Sequence, residues 1–211
     1  VLAAIRPLPG SETLPLAASL GLVSASTVRA AAAVPGFRAS IMDGFALGQD
    51  TQPTTGDSWV VRGCSAAGNP FEGQIGNGES IRILTGAPLP EGAGWVLPQE
   101  LVERTEDTIS LVKAASDRPW IRAADEECGT DDVLLESGQR LGPADLGRLA
   151  GCGVAELLVH RQPTIGLLIS GDELVPAGSH RQPGAIWESN GTLLETMLRT
   201  LGQTVTLRCV V

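Results

Sequence analysis

At 211 residues and 43% hydrophobic content the chain is long enough for packed cores, arranged as one large domain or two to three small ones. A formal net charge of −9 weighs against nucleic acid as a ligand, because phosphate backbones are held mainly by Lys and Arg. Its 26 glycines and 14 prolines favour many short elements and turns, hence a β-rich chain with several sub-domains.

In chain order, VLAAIRPLPG reads as the last turn of a helix stopped by Pro7, Pro9 and Gly10, and the absence of an initial methionine reads as a trimmed start. Glu12 to Val28 reads as strand, loop and strand, followed by an Ala-rich turn or short extended link that ends at Pro35-Gly36. An extended run begins at Ile41 and reaches Leu47, with Asp43 beside Gly44, which permits close backbone approach. Trp59 to Val61, Ile81 to Leu84, Trp95 to Gln99 and Ile109 to Lys113 predict a meander of strands, a small β-barrel or sandwich module. Ser65 to Gly78 reads as a Gly-rich loop or hairpin, and Glu100 to Asp107 as a solvated edge.

Three acids in a row, Asp125, Glu126 and Glu127, either stay in water or share a cation. Val133 to Leu135 and Val154 to His160 predict strands. Between them Pro143 opens a helix that shows Leu146, Leu149 and Ala150 on one face and ends at Gly151 and Gly153. Thr164 to Ser170 is a near-continuous apolar run, the pattern of a strand covered on both faces. A helix carrying Leu193, Leu194, Met197, Leu198 and Leu201 and a strand over Thr204 to Val211 complete a βαβ unit, too small to close a core.

Several groups invite a chemical reading. In IRILTGAPLPEG (Ile81 to Gly92), Pro88 and Pro90 stiffen the loop, so Thr85 and the Gly86 N–H could present a pre-set hydroxyl and amide to a ligand; a rigid connection without a ligand fits the same residues. Asp43 reads either as a turn residue or as a site carboxylate. Ser170-Gly171-Asp172-Glu173 falls at the carboxyl end of a strand, where open α/β sheets bind ligands, and Asp172 and Glu173 read as Mg²⁺ ligands or as two acids on a solvated loop. Asn190 reads as a ligand contact or, more simply, with Ser189 as a helix N-cap. Cys64, Cys128, Cys152 and Cys209 form no C-x-x-C pair and read as buried or half-buried thiols. His160 and His180 support neither a zinc site nor a triad, and phosphate-binding glycine loops are absent. No apolar run approaches the roughly 20 residues that cross a bilayer, so no membrane partner and a cytoplasmic location are the default expectations.

ILTGAPLPEGA, VPGFRASIMDGFAL (Val34 to Leu47) and LLISGDELVPAG (Leu167 to Gly178) occur in one order, joined by QRLGPADLGRLAGCGVAELLVHRQP (Gln139 to Pro163) and AIWESN (Ala185 to Asn190). Read together they resemble the molybdopterin molybdotransferase family, which includes MoeA and the gephyrin E domain. The resemblance implies Mg²⁺-dependent insertion of molybdate into adenylylated molybdopterin with release of AMP, by a homodimer whose clefts are shared between subunits. It implies Asp43, Thr85 and Glu173 as active-site residues, Gly86, Ser170, Gly171 and Asn190 as cofactor contacts, and Asp172, Glu173 and Glu127 as metal ligands.

The fold it implies is mixed α/β, β-rich and multi-domain. Residues 10–42 with 128–163 form an elongated discontinuous domain, 43–127 an inserted β-barrel-like module, and 164–211 the start of an incomplete α/β domain. One departure lies at an R-x-R-G-E-D type motif: Arg122 is kept, Ala123, Ala124 and Asp125 replace the residues after it, and Glu126 and Glu127 fall on the acid pair. Positive charge for the anionic substrates is expected from the family's later glycine-rich and lysine-bearing motifs, so residues 1–211 alone are expected to be inactive. A scaffolding module of the gephyrin type and a fragment without a ligand are the rival readings.

Overall fold

The computed structural model describes residues 10–211, so the helix end expected through Pro7 and Pro9 lies outside the described residues. The strands in chain order are β1 (Ser11–Pro15), β2 (Val28–Arg29), β3 (Ala39–Ser40), β4 (Gly44–Leu47), β5 (Ser58–Ser65), β6 (Glu79–Ile83), β7 (Trp95–Pro98), β8 (Val102–Thr105), β9 (Thr108–Leu111), β10 (Ile121–Arg122), β11 (Val133–Leu135), β12 (Glu156–His160), β13 (Ile165–Ile169), β14 (Leu174–Val175), β15 (Ile186–Trp187) and β16 (Val205–Val210). Two α-helices, α1 (Pro143–Gly151) and α2 (Asn190–Thr200), stand among the described residues. The chain is mostly β. Its contacts divide it into two compact units, Arg29–Asp132 and residues 10–28 with Val133–Val211.

The Arg29–Asp132 unit is built on a six-stranded sheet in the order β7-β4-β6-β5-β9-β8, curled into a half-barrel. Alternation along the strands sorts their side chains to two faces. Phe45, Leu47, Trp59, Trp95, Leu97, Ile109 and Leu111 pack together on one face, and Ala46, Ile81, Ile83 and Val96 join Ile75, Ala87 and Ala93 on the other. Gly44, at the start of β4, leaves no room for a side chain: a Cβ there would lie 1.9 Å from the Leu97 carbonyl oxygen.

Three expectations for this unit are corrected. The sheet is not a simple meander, because β5 and β6 pair in parallel and residues 66–78 must cross over between them. The extended run begins at Gly44 rather than at Ile41. Ser40 Oγ donates to the Met42 carbonyl at 2.6 Å and accepts the Met42 N–H at 3.3 Å, and this local turn bends the chain ahead of the strand. Cys64 is exposed, since it alternates with Gly63 and the buried Ser65 on β5. The charged segment does form the sheet edge: Glu103, Arg104 and Thr105 of β8 are exposed, and charge of that kind discourages pairing with another chain.

In the other unit β1 pairs antiparallel with β12, from Ser11 opposite His160 to Pro15 opposite Glu156. Pro143 occupies the first turn of α1, and the Asp145 carboxylate accepts the Gly142 N–H at 2.8 Å, satisfying a donor that the helix itself cannot. Leu149 anchors this helix and is fully buried. The βαβ unit is present, with β13 and β16 parallel and α2 between them in sequence. The expectation that β13 is covered on both faces is corrected: Leu168 is 70% exposed and Leu207 of β16 65% exposed, because one helix cannot cover both faces of a two-stranded sheet. No helix among the described residues is long and apolar enough to cross a membrane.

Candidate functional site

The turn set by Ser40 carries Asp43 to the start of β4, and the TGAP loop leaves β6 beside it. Asp43 Oδ1 accepts the Thr85 N–H at 2.7 Å and the Thr85 hydroxyl at 2.8 Å. Two motifs 42 residues apart thus meet at one carboxylate oxygen. The corner is held from behind. The Gly86 N–H donates to the Ser40 carbonyl at 2.8 Å, the Ser40 N–H to Ala87 at 3.0 Å, and the Gln99 N–H to the Asp43 carbonyl at 3.1 Å. Arg82, one strand residue from the loop, donates to the Gly44 carbonyl at 2.8 Å and to Gln99 Oε1 at 2.6 Å, with its guanidinium 5.3 Å from the Phe45 ring centre.

This geometry changes the chemistry expected of the loop. The Gly86 amide, expected to face a ligand, is engaged by Ser40, and the Thr85 hydroxyl points its proton at Asp43. What remains is a pair of acceptors, the second Asp43 oxygen and the Thr85 lone pairs, suited to an N–H or O–H group or a cation and not to a bare oxyanion. The carboxyl of Asp43 is held below the ordinary value of 3.8, first by the Thr85 backbone N–H, then by its hydroxyl, and in smaller part by Arg82. Asp43 is therefore ionised at neutral pH and cannot serve there as a proton donor.

Two other carboxylates are lowered in the same direction. Glu79 accepts the Gly76 N–H at 3.0 Å and pairs with Arg62 at 2.8 Å. Glu188, 6% exposed, accepts the Gly191 N–H at 2.5 Å and pairs closely with Arg208. A group whose pKa is lower in the folded state adds stability above its unfolded pKa and loses it as the pH falls through the folded value. Thermal melts should therefore give a flat melting temperature near neutrality and a decline below about pH 4 as these carboxylates protonate. A melting temperature that rose on acidification would contradict the assignment.

The second group of expected residues lies where β13 ends. The Gly171 N–H donates to the Val211 carbonyl at 2.9 Å and Gly171 accepts from the Leu174 N–H at 3.0 Å, a turn that places Asp172 and Glu173 on a loop. Ser170 and Asn190 line one shallow cleft of about 300 Å³ with Ile169 and Leu193. Asn190 is the first residue of α2, and Ser189 makes no side-chain cap bond; Glu188 takes the cap role through Gly191. A Cβ at Gly191 would lie 2.6 Å from the Arg208 guanidinium, so a larger residue there would push Arg208 from its place beside Glu188. Local sequence did not single out Glu188, whose one signal was an acid just ahead of an amphipathic helix.

The residues present do not fit a preformed metal cage. Glu127 lies 3.7 Å from Arg122, which also pairs with Glu126 at 3.2 Å, and no group of three or more His, Cys, Asp or Glu that could hold a metal stands among the described residues.

The mostly β fold with its curled half-barrel sheet matches that of solved molybdopterin biosynthesis proteins. The chain belongs to the MoeA family: residues 1–153 match the model described as "MoeA N-terminal region (domain I and II)". It is 37% identical over 193 residues to the molybdopterin molybdenumtransferase of Haemophilus influenzae, covering 90% of this chain and 47% of that protein. With molybdopterin molybdenumtransferase 2 of Mycobacterium tuberculosis it shares 33% identity over 206 residues, 96% of this chain and 50% of the relative. A solved molybdopterin biosynthesis MoeA protein from Pyrococcus horikoshii OT3 superposes with a TM-score of 0.88 at 27% identity, over all of this chain and 57% of that one. The chain spans about half the length of the curated relatives it matches.

Proposed function

We propose that this chain is the N-terminal and central part of a molybdopterin molybdotransferase, which inserts molybdate into adenylylated molybdopterin with release of AMP. The observation that supports this most directly is the Asp43–Thr85 tie, because it joins two separated motifs of the family into one corner. In this reading the fixed carboxylate of Asp43 orients a donor group of the substrate, and the stiff loop after Thr85 keeps it from moving as the reaction proceeds. Glu173, with Ser170, Gly171 and Asn190, belongs to the cofactor cleft. The protein acts as a homodimer in the cytoplasm, and its chain is divided into the discontinuous domain, the inserted β-module and the start of the α/β domain. A magnesium ion that takes part would enter with the substrate's phosphates, held by one or two carboxylates such as Asp172 and Glu173 in place of a protein cage.

Residues 1–211 alone should be inactive, because Asp172 and Glu173 stand on a loop of a two-stranded sheet with too little around it to fix them. The test is AMP release from adenylylated molybdopterin with molybdate and Mg²⁺, on residues 1–211 and on the chain extended to the length of its relatives. Turnover by the extended protein alone is the expected result. Absence of turnover in both would overturn the reading, and equal turnover would overturn the inactivity of residues 1–211.

A further inference from the structure

On the half-barrel face that carries Phe45, Trp59 and Ile109, the apolar packing gives way to a cleft of about 460 Å³ lined by Val61, Arg62, Cys64, Arg82, Arg104 and Asp107. Strand register puts these side chains together. Arg82 lies opposite Phe45 on one side and Cys64 on the other, and Arg104 lies opposite Ile109. The pairing of β5 with β6 is irregular between Val61 and Cys64, and such bulges re-aim side chains that would otherwise follow the sheet. Gly63 marks the spot: Phe71 packs so closely that a Cβ at Gly63 would lie 2.6 Å from its ring.

Three guanidinium groups converge on one cleft in a chain with only 15 basic residues and a net charge of −9. Arg62 and Arg104 are held at one edge, whereas Arg82 is engaged through both terminal nitrogens. Arg62 uses its Nε for Glu79 at 2.8 Å, Arg104 its Nε for the Glu106 carbonyl at 2.9 Å, and Arg82 is fixed by Gly44, Gln99 and the Phe45 ring. The terminal nitrogens of Arg62 and Arg104 have no hydrogen-bond partner among the described residues. Asp107, Glu79 and Asp43, whose carboxylate acts on Arg82, offset the charge, so what the cleft offers a ligand is the set of free terminal nitrogens on Arg62 and Arg104. Guanidinium nitrogens fixed at one edge and open at the other are the donor set that planar, multidentate phosphate recognition uses.

We propose that this cleft binds the phosphate group of a small phosphorylated ligand. The site involves neither Asp43 nor Thr85 as a contact, and it does not rest on the molybdate reading. Cys64 reports on it, because an occupant between Arg62, Arg82 and Arg104 covers the exposed thiol in the same cleft. The experiment follows iodoacetamide labelling of Cys64 by mass spectrometry as inorganic phosphate is added, against sodium chloride at equal ionic strength. Phosphate should slow labelling saturably by about fivefold or more, while chloride should not. Arg104→Gln, on an exposed edge strand, should remove the protection with the melting temperature unchanged, and Arg62→Gln should weaken it. Slowing by phosphate no greater than by chloride, or full protection retained in Arg104→Gln, would overturn the proposal. Labelling needs neither molybdate nor pterin, so the outcome is independent of whether the chain takes part in molybdate insertion.

Discussion

Gly44→Ala should prevent the half-barrel unit from reaching its native structure. The added methyl would meet the Leu97 carbonyl oxygen at 1.9 Å and its carbon at 2.8 Å, and both belong to the backbone of the neighbouring strand, not to a side chain that could rotate away. Strand β4 pairs with β6 on one side and β7 on the other, so relief on one ladder disturbs the second. Overpacking of ordinary cores costs about 1–3 kcal/mol, and a backbone collision in a central strand belongs at or above the top of that range. Gly86→Ala is the informative contrast, since a Cβ there meets nothing within 4 Å and the only penalty is the left-handed φ of +77°. It should cost about 1 kcal/mol. Chemical denaturation followed by tryptophan fluorescence separates the two, and a Gly44→Ala protein as stable as Gly86→Ala would show that β4 and β7 do not approach as described.

Asp43→Asn, in the protein extended to the length of its relatives, should lower AMP release by about 100-fold or more while the melting temperature stays close to that of the parent. An asparagine can still offer a carbonyl oxygen to the Thr85 N–H and hydroxyl, so the tie between the two loops survives. What is lost is the negative charge, and with it the strong acceptor on the open side of the carboxylate. Asp43→Ala removes the tie as well and should lower both activity and melting temperature. Because Asp43 joins residues 42 apart, it is more than a solvated turn residue, and some structural cost for the alanine variant is expected. Asparagine and alanine variants with identical melting temperatures and undiminished turnover would return Asp43 to a purely local role.

Much of this was legible in the sequence where the signal is local. The strands expected over Ile81 to Leu84 and Trp95 to Gln99 and the helix opened by Pro143 each depend on a few neighbouring residues, and β6, β7 and α1 stand there. The motif order also led to Asp43 and Thr85, although not to the bond between them. What escaped is set by partners distant in the chain. Nothing around Ser65 to Gly78 says that the next strand will pair in parallel, and nothing beside Gly86 says that Ser40 will take its amide. Arg82 ties Gly44 to Gln99 through a fork of donors that only the assembled sheet brings within reach. The exposed surfaces of β13 and β16 failed expectation for another reason: a run of apolar residues records what a strand is built to contact and not whether that contact is made in a given span of chain.

The parallel pairing of β5 with β6 also governs how the half-barrel can assemble. An antiparallel sheet can grow by closing one short hairpin after another, each turn bringing its own strands together. Here residues 66–78 must return along the strand direction before β6 can pair with β5, and their Ile75 N–H bonds the Glu91 carbonyl, beyond the next strand. Assembly of β6 should therefore wait on the ordering of a long connector and of the loop that carries Thr85, and the rim of the site should be among the last parts to form, since such a long-range closure carries its own entropy barrier.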